Sequence, residues 1–160
     1  MFNRRTLCVA AAVIALAGCA TSSRTVPLAD AIAAQPQLTT FNSLIIKAGL
    51  KDTLTRGGPF TVFAPSNEAF TKVPAKTMDA LTQDPAMLKA LLNYHLIPGK
   101  YLVADLKNGN SKTVNGANVA LSKAGDFLTV ESAIVQTPDI VTSNGVLQIV
   151  DSVLIPPASR

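Results

Sequence analysis

His95 is the only imidazole in the 160-residue chain, so any histidine-based acid–base or metal chemistry must run through it. It has no second histidine to work with, whereas a zinc site takes roughly three or four His, Cys or carboxylate ligands. Ser66 sits in Ala64-Pro65-Ser66-Asn67, and no Gly-x-Ser-x-Gly elbow is present to expose a nucleophilic serine. Gly99-Lys100 has the look of a phosphate loop, but Tyr94 stands where the first glycine belongs and Tyr101 where Ser or Thr belongs. These residues make up no catalytic, metal or cofactor set, and a non-catalytic protein without cofactors is expected.

The remaining reactive side chain of interest is Cys19. Arg4 and Arg5 precede an apolar run from Leu7 to Gly18 that ends in Leu16-Ala17-Gly18-Cys19. A short basic segment followed by such a run is the pattern of a signal peptide, and the run falls short of the ~20 apolar residues that span a bilayer. Its last four residues resemble the bacterial lipobox, in which the cysteine thiol receives a diacylglyceryl group and becomes the first mature residue. The alternative is an ordinary secretory signal with an incidental cysteine. The expected organisation is therefore a lipoprotein signal over 1–18, a lipidated Cys19 with a small, polar tether over 19–27, one domain over 28–157 and a tail over 158–160.

Removing 1–18 also removes Arg4, Arg5 and Cys8, which lowers the formal net charge from +4 to +2 and, with Cys19 acylated, leaves no thiol for a disulfide. Export into an oxidising compartment is thus not exploited for stapling. A domain of this length buries about two-thirds of its unfolded surface and can rely on its core. The basic residues are scattered from Arg24 to Arg160 and tryptophan is absent. A phosphate-tracking surface needs clustered cations, so nucleic acid is excluded as a partner.

The elements that must position these residues fall into two halves. Leu28 to Ala34 is Ala-rich, and Phe41, Leu44, Ile45 and Ala48 recur at helical offsets until Gly49. Lys51 to Thr55 adds a turn. Phe60 to Ala64, bounded by Pro59 and Pro65, reads as a strand buried on both faces. Ser66 or Asn67 caps a short helix, and Asp84-Pro85 opens another whose Leu88, Leu91, Leu92 and His95 share one face. After Pro98-Gly99 the pattern becomes short strands: Val119 and Leu121, Leu128 and Val130, Ile134, then Val146 to Ile155. Asn108-Gly109, Asn115-Gly116 and Asn144-Gly145 are hairpin signals between them. Helices first and antiparallel hairpins later give an α+β fold.

Gly58 to Phe70, Tyr94-His95, and Asn144 to Asp151 running on to Leu154-Ile155-Pro156, with Ala48-Gly49-Leu50 upstream, together resemble a single fasciclin domain over residues 28 to 157. The resemblance implies a compact β-sandwich or wedge of mainly antiparallel strands flanked by helices. It also implies two contact candidates. Several animal fasciclin domains use a Tyr-His pair with branched apolar flanks to bind integrins, and Tyr94-His95 with Leu92, Leu96 and Ile97 is similar. The competing role for His95 is a buried hydrogen bond that fixes the exit from its helix. Asp139-Ile140 falls where some animal members carry Asn-Lys-Asp-Ile-Leu. Here Thr137, Pro138 and Val141 replace the other three residues, and Asp139 could instead start a strand or satisfy turn amides.

The expected function is envelope-displayed adhesion, or binding of a cell-surface or matrix protein or polysaccharide, with the membrane engaged through the N-terminal lipid. The alternative is an envelope protein that captures a small molecule or carbohydrate between helices and sheet. Ala20 lacks the aspartate that often retains lipoproteins at the inner membrane, so a Gram-negative source would place the anchor in the outer one.

Overall fold

The computed structural model describes residues 25–156. The first half is helical, as the apolar spacing dictates. Helices α1 (Leu28–Ala33), α2 (Thr39–Lys47) and α3 (Lys51–Arg56) bury Leu28, Ile32, Phe41, Leu44, Ile45 and Leu54 and turn their polar residues outward. Strand β1 (Phe60–Pro65) follows. In α4 (Asn67–Thr71) the Ser66 hydroxyl accepts from the Ala69 amide at 3.3 Å, a capping role that occupies this serine. Helix α5 (Ala75–Gln83), which the sequence pattern did not announce, leads through Asp84 into α6 (Pro85–Tyr94). Asp84 Oδ1 accepts from the Ala86 and Met87 amides, and Pro85 costs no hydrogen bond at the first helical position.

The strands β2 (Leu96–Pro98), β3 (Gly109–Lys112), β4 (Asn118–Ala124), β5 (Phe127–Val130), β6 (Ala133–Thr142) and β7 (Gly145–Val150) join β1 in one sheet ordered β2-β1-β7-β6-β5-β4-β3. Every neighbouring pair is antiparallel except β1 and β7, which run parallel from Phe60 beside Gly145 to Pro65 beside Val150. The long β6 shifts register twice against β7, between Val135 and Thr137 and between Thr137 and Ile140. Such bulges bend a strand and increase its twist, allowing the β3–β5 half to fold back over β1 and β7.

Two cores result, one on each face of the central strands. Val62 and Ala64 of β1 and Leu147 and Ile149 of β7 pack under the helices with Leu28, Ile32, Phe41 and Leu92. Phe63 and Val150 point the other way, into a second core with Tyr94, Val119, Leu121, Leu128 and Val130. Period-two alternation on a strand covered on both sides explains why β1 and β7 read as unbroken apolar runs. The fold is α+β, a mainly antiparallel sheet with flanking helices.

Two expectations about the strands change. The last strand ends at Val150, because Asp151 closes the ladder: its amide donates to the Ile134 carbonyl at 3.1 Å and its Oδ1 accepts from the Ile134 amide at 2.8 Å. Of the three Asn-Gly pairs, only Asn115-Gly116 lies within a turn with positive φ, between β3 and β4. Gly109 opens β3 rather than turning a hairpin. The β6–β7 connection is Ser143-Asn144, and Gly145 is already in β7, where a Cβ would strike the Phe60 carbonyl oxygen.

Strands β2 and β3 are the two ends of the sheet order, yet they lie close together. The Val114 amide donates to the Leu96 carbonyl at 2.8 Å and the Asn115 amide to the Asn93 carbonyl at 3.3 Å. The sheet is therefore almost a closed barrel.

Candidate functional site

His95 terminates α6 and is completely buried. Its Nδ1 lies 2.9 Å from the Leu91 carbonyl, one turn back, and its Nε2 accepts from the Leu154 amide at 3.0 Å. A carbonyl can only accept and an amide can only donate, so the ring carries its proton on Nδ1 and is neutral. Burial pushes its pKa from 6.5 down to about 4, the hydrogen bond to Leu91 opposing that shift only in part. The tilted Phe41 ring, 6.1 Å away between centroids, covers it from the helical side. Both nitrogens serve the fold, and neither is free to abstract a proton or to meet a partner.

Tyr94 points into the other core. Its hydroxyl donates within 3.2 Å to both the Asn118 carbonyl and Glu131 Oε1. Burial, together with the charge and hydrogen bond of Glu131, raises the phenol to about 12. Glu131 adopts φ 56° in the β5–β6 turn, and its Oε1 also accepts from the Ala120 amide. The pair thus joins α6 to β4 and to the β5–β6 turn, and the backbone at residues 94–95 sends successive side chains into opposite cores.

Asp139 occupies the second register shift of β6 with φ 56°, a conformation that Asp and Asn tolerate better than most residues. Its Oδ1 accepts from the Val103 amide at 2.8 Å and from Gln148 Nε2 at 2.9 Å, while its own amide donates to Gln148 Oε1 at 3.0 Å. Gln148 is fully buried. One carboxylate oxygen therefore holds the bulge to the loop before β3. Ile140 is half-buried against the helical core. The structure brings Asp139 and Ile140 together on β6 and places both apart from Tyr94-His95, whose side chains are internal.

Asn144, which the sequence offered as a turn residue and as the head of a fasciclin-like segment, is the most connected polar side chain of the described residues. Its Oδ1 accepts from the Leu28 amide at 2.8 Å, its Nδ2 donates to the Leu54 and Gly57 carbonyls at 2.7 and 2.8 Å, and its carbonyl accepts from the Phe60 amide. One side chain fastens the start of α1 and the end of α3 to the β6–β7 turn. Its sequence signals, the Asn-Gly pair and its place at the head of the Asn144–Asp151 segment, carry no hint of these distant partners.

The sequence matches the Fasciclin domain family over residues 36–156. This chain is a member of that family. The immunogenic protein MPB70 of Mycobacterium bovis is 37% identical over 137 residues, covering 82% of this chain and 70% of the relative. The cell surface glycolipoprotein MPB83 of the same species is also 37% identical over 137 residues, covering 82% of this chain and 61% of that relative's length. Among solved structures, a FAS1 domain pair from the insect cell adhesion molecule fasciclin I superposes with a TM-score of 0.65 at 16% identity, covering 81% of this chain and half of that one. That likeness shows the fold.

In this fasciclin domain a third region combines exposed polar groups with an aromatic ring. Buried Thr61 of β1 donates its hydroxyl to the Gly99 carbonyl at 2.8 Å and accepts from the Tyr101 amide at 3.0 Å. The Tyr101 ring lies against Gly99, where any Cβ would collide with it. Sequence reasoning used Tyr101 only to dismiss a phosphate loop. Among the described residues no group of three or more His, Cys, Asp or Glu could hold a metal ion, and no helix is long and apolar enough to cross a membrane. Cys19 and the expected signal and tether lie outside the described residues, apart from the tether's last three positions.

Proposed function

We propose that this protein is a lipid-anchored fasciclin domain displayed on the cell envelope, where it mediates adhesion through a shallow contact with a surface protein or polysaccharide. The observation that carries this reading is the use of Tyr94 and His95 as internal fasteners in a fasciclin fold. The residues best suited to chemistry are spent on holding the domain together, which favours a binding module over an enzyme. The lipobox-like Leu16-Ala17-Gly18-Cys19 supports the anchor, as does similarity to a protein named a cell surface glycolipoprotein. A shallow contact works by number, because linked copies on a membrane raise avidity ~10²–10⁴-fold without any individually tight bond.

Cys19→Ser is the direct test. The variant is expected to appear in the medium without a lipid mass, and cells expressing it should lose attachment to matrix-coated surfaces while the released protein keeps its native melting temperature. Attachment equal to that of cells lacking the protein altogether, in both wild type and variant, would remove the adhesion reading.

A further inference from the structure

The near-closure of the barrel is uneven. Beyond the Val114–Leu96 hydrogen bond the β2 and β3 edges part, leaving a groove of about 410 Å³ whose lining includes Pro98, Tyr101, Lys107, Asn110 and Lys112. Because the Thr113 amide donates to the Ala117 carbonyl, the alternation of an antiparallel ladder turns the peptide groups of Gly109 and Ser111 toward β4 and those of Asn110 and Lys112 toward the groove. The groove therefore offers main-chain donors and acceptors, the Asn110 amide and two ammonium groups. Neither lysine has an acidic partner among the described residues. The one acid on the rim, Asp105, lies within hydrogen-bond reach of the Leu102 amide at 3.4 Å. Tyr101 is 39% exposed; its backbone amide is held by Thr61 and its ring lies against Gly99.

An added peptide strand is disfavoured here. Pro98 has no amide hydrogen, Gly109 has φ 138°, and Lys112 puts a charge on the edge, all of which discourage strand pairing. A fixed ring face flanked by hydrogen-bonding groups suits a sugar, whose axial C–H face is apolar and whose rim is hydroxylated. The two lysines add a demand for negative charge. We propose that the β2–β3 groove binds a carboxylated oligosaccharide of the uronate type: Tyr101 stacks on a ring, Asn110 and the free peptide groups meet hydroxyls, and Lys107 and Lys112 meet carboxylates. This rests on the adhesion reading and names the ligand class behind it.

The test is calorimetric titration of the full chain in detergent with sodium tetragalacturonate, and with cellotetraose as the uncharged control. The charged tetramer should bind and weaken with added salt, and cellotetraose should bind at least about tenfold more weakly. Lys107→Gln and Lys112→Gln lie on exposed surface and should keep the native melting temperature while each weakens binding severalfold. Tyr101→Ala should weaken it about tenfold, the scale of one lost aromatic contact. Equal binding of the two tetramers, unchanged affinity in both lysine variants, or binding of an acidic peptide but neither sugar would overturn the proposal. Cells carrying both lysine substitutions separate the two readings: attachment retained by them strikes the groove alone, whereas uronate binding by a protein whose deletion leaves attachment intact strikes the adhesion reading.

Discussion

Two asparagines show how differently one side chain can be used in this domain. Asn144 bonds Leu28, Leu54 and Gly57 and has nothing left for a ligand. Asn110, on the β3 edge, is exposed and faces a groove. The same contrast separates His95, with both nitrogens engaged, from the free lysines of the seam. In the described residues no buried side-chain nitrogen or oxygen lacks a partner. Among the described residues the polar interior is complete, and unpaired hydrogen-bonding groups are left to the surface.

Breaking the interior set should cost stability in proportion to the partners left behind. Asn144→Ala strands one amide and two carbonyls and is expected to cost about 4 kcal/mol in denaturant unfolding, since each unsatisfied buried group is worth ~1–3 kcal/mol. A loss below about 1 kcal/mol would mean that water replaces the side chain.

Acid should act on the same interior through His95. Its folded pKa, about 4, lies below the unfolded 6.5, so the unfolded chain takes the proton first as pH falls. The stabilisation is complete above about pH 6.5 and is lost progressively down to about pH 4, amounting to about 3 kcal/mol. Urea midpoints measured across that interval in wild type and in His95→Gln test this, because only the wild type should carry the histidine-dependent slope.

Asp139 sharpens the comparison, since the sequence admits it to either class. Asp139→Ala is expected to cost about 2 kcal/mol by freeing the Val103 amide and Gln148, whereas Asp139→Asn should cost less than about 0.5 kcal/mol because its amide oxygen accepts the same bonds and Asn tolerates the positive φ. Cell attachment that falls in Asp139→Asn at unchanged stability would return this residue to the surface and argue for a cation-mediated contact. Among the substitutions that remove a hydrogen-bonding group outright, the smallest effect belongs to Tyr94→Phe, about 1 kcal/mol by thermal denaturation, because Glu131 keeps the Ala120 amide as a partner.

The helical half was legible because its signals are local. Ser66 and Asp84 cap where their side chains predict, and the Leu88-Leu91-Leu92-His95 face is buried as its spacing requires. Strand β1 was legible for a different reason: two prolines fix its ends and two cores fix its composition. Helix α5 was missed because it buries only Leu81, too little to make a stripe. The Asn-Gly pairs misled at residues 109 and 145 because one glycine opens β3 and the other already lies in β7, neither at the centre of a tight turn. Gly145 yields to Phe60, a contact that no window around residue 145 contains. The groove was invisible for the same reason, since Tyr101 and Lys112 meet only after the sheet curls.

The parallel pairing of Phe60–Pro65 with Gly145–Val150 also sets a timetable. While the chain is being made, β1 has only the three-residue β2 for company, and the strand that joins it to the remaining four is nearly the last to be synthesised. A chain ending just before residue 145 would hold two sheet fragments, β1–β2 and β3–β6, without the strand that joins them. The sheet therefore takes its final form only when almost all of the chain has emerged.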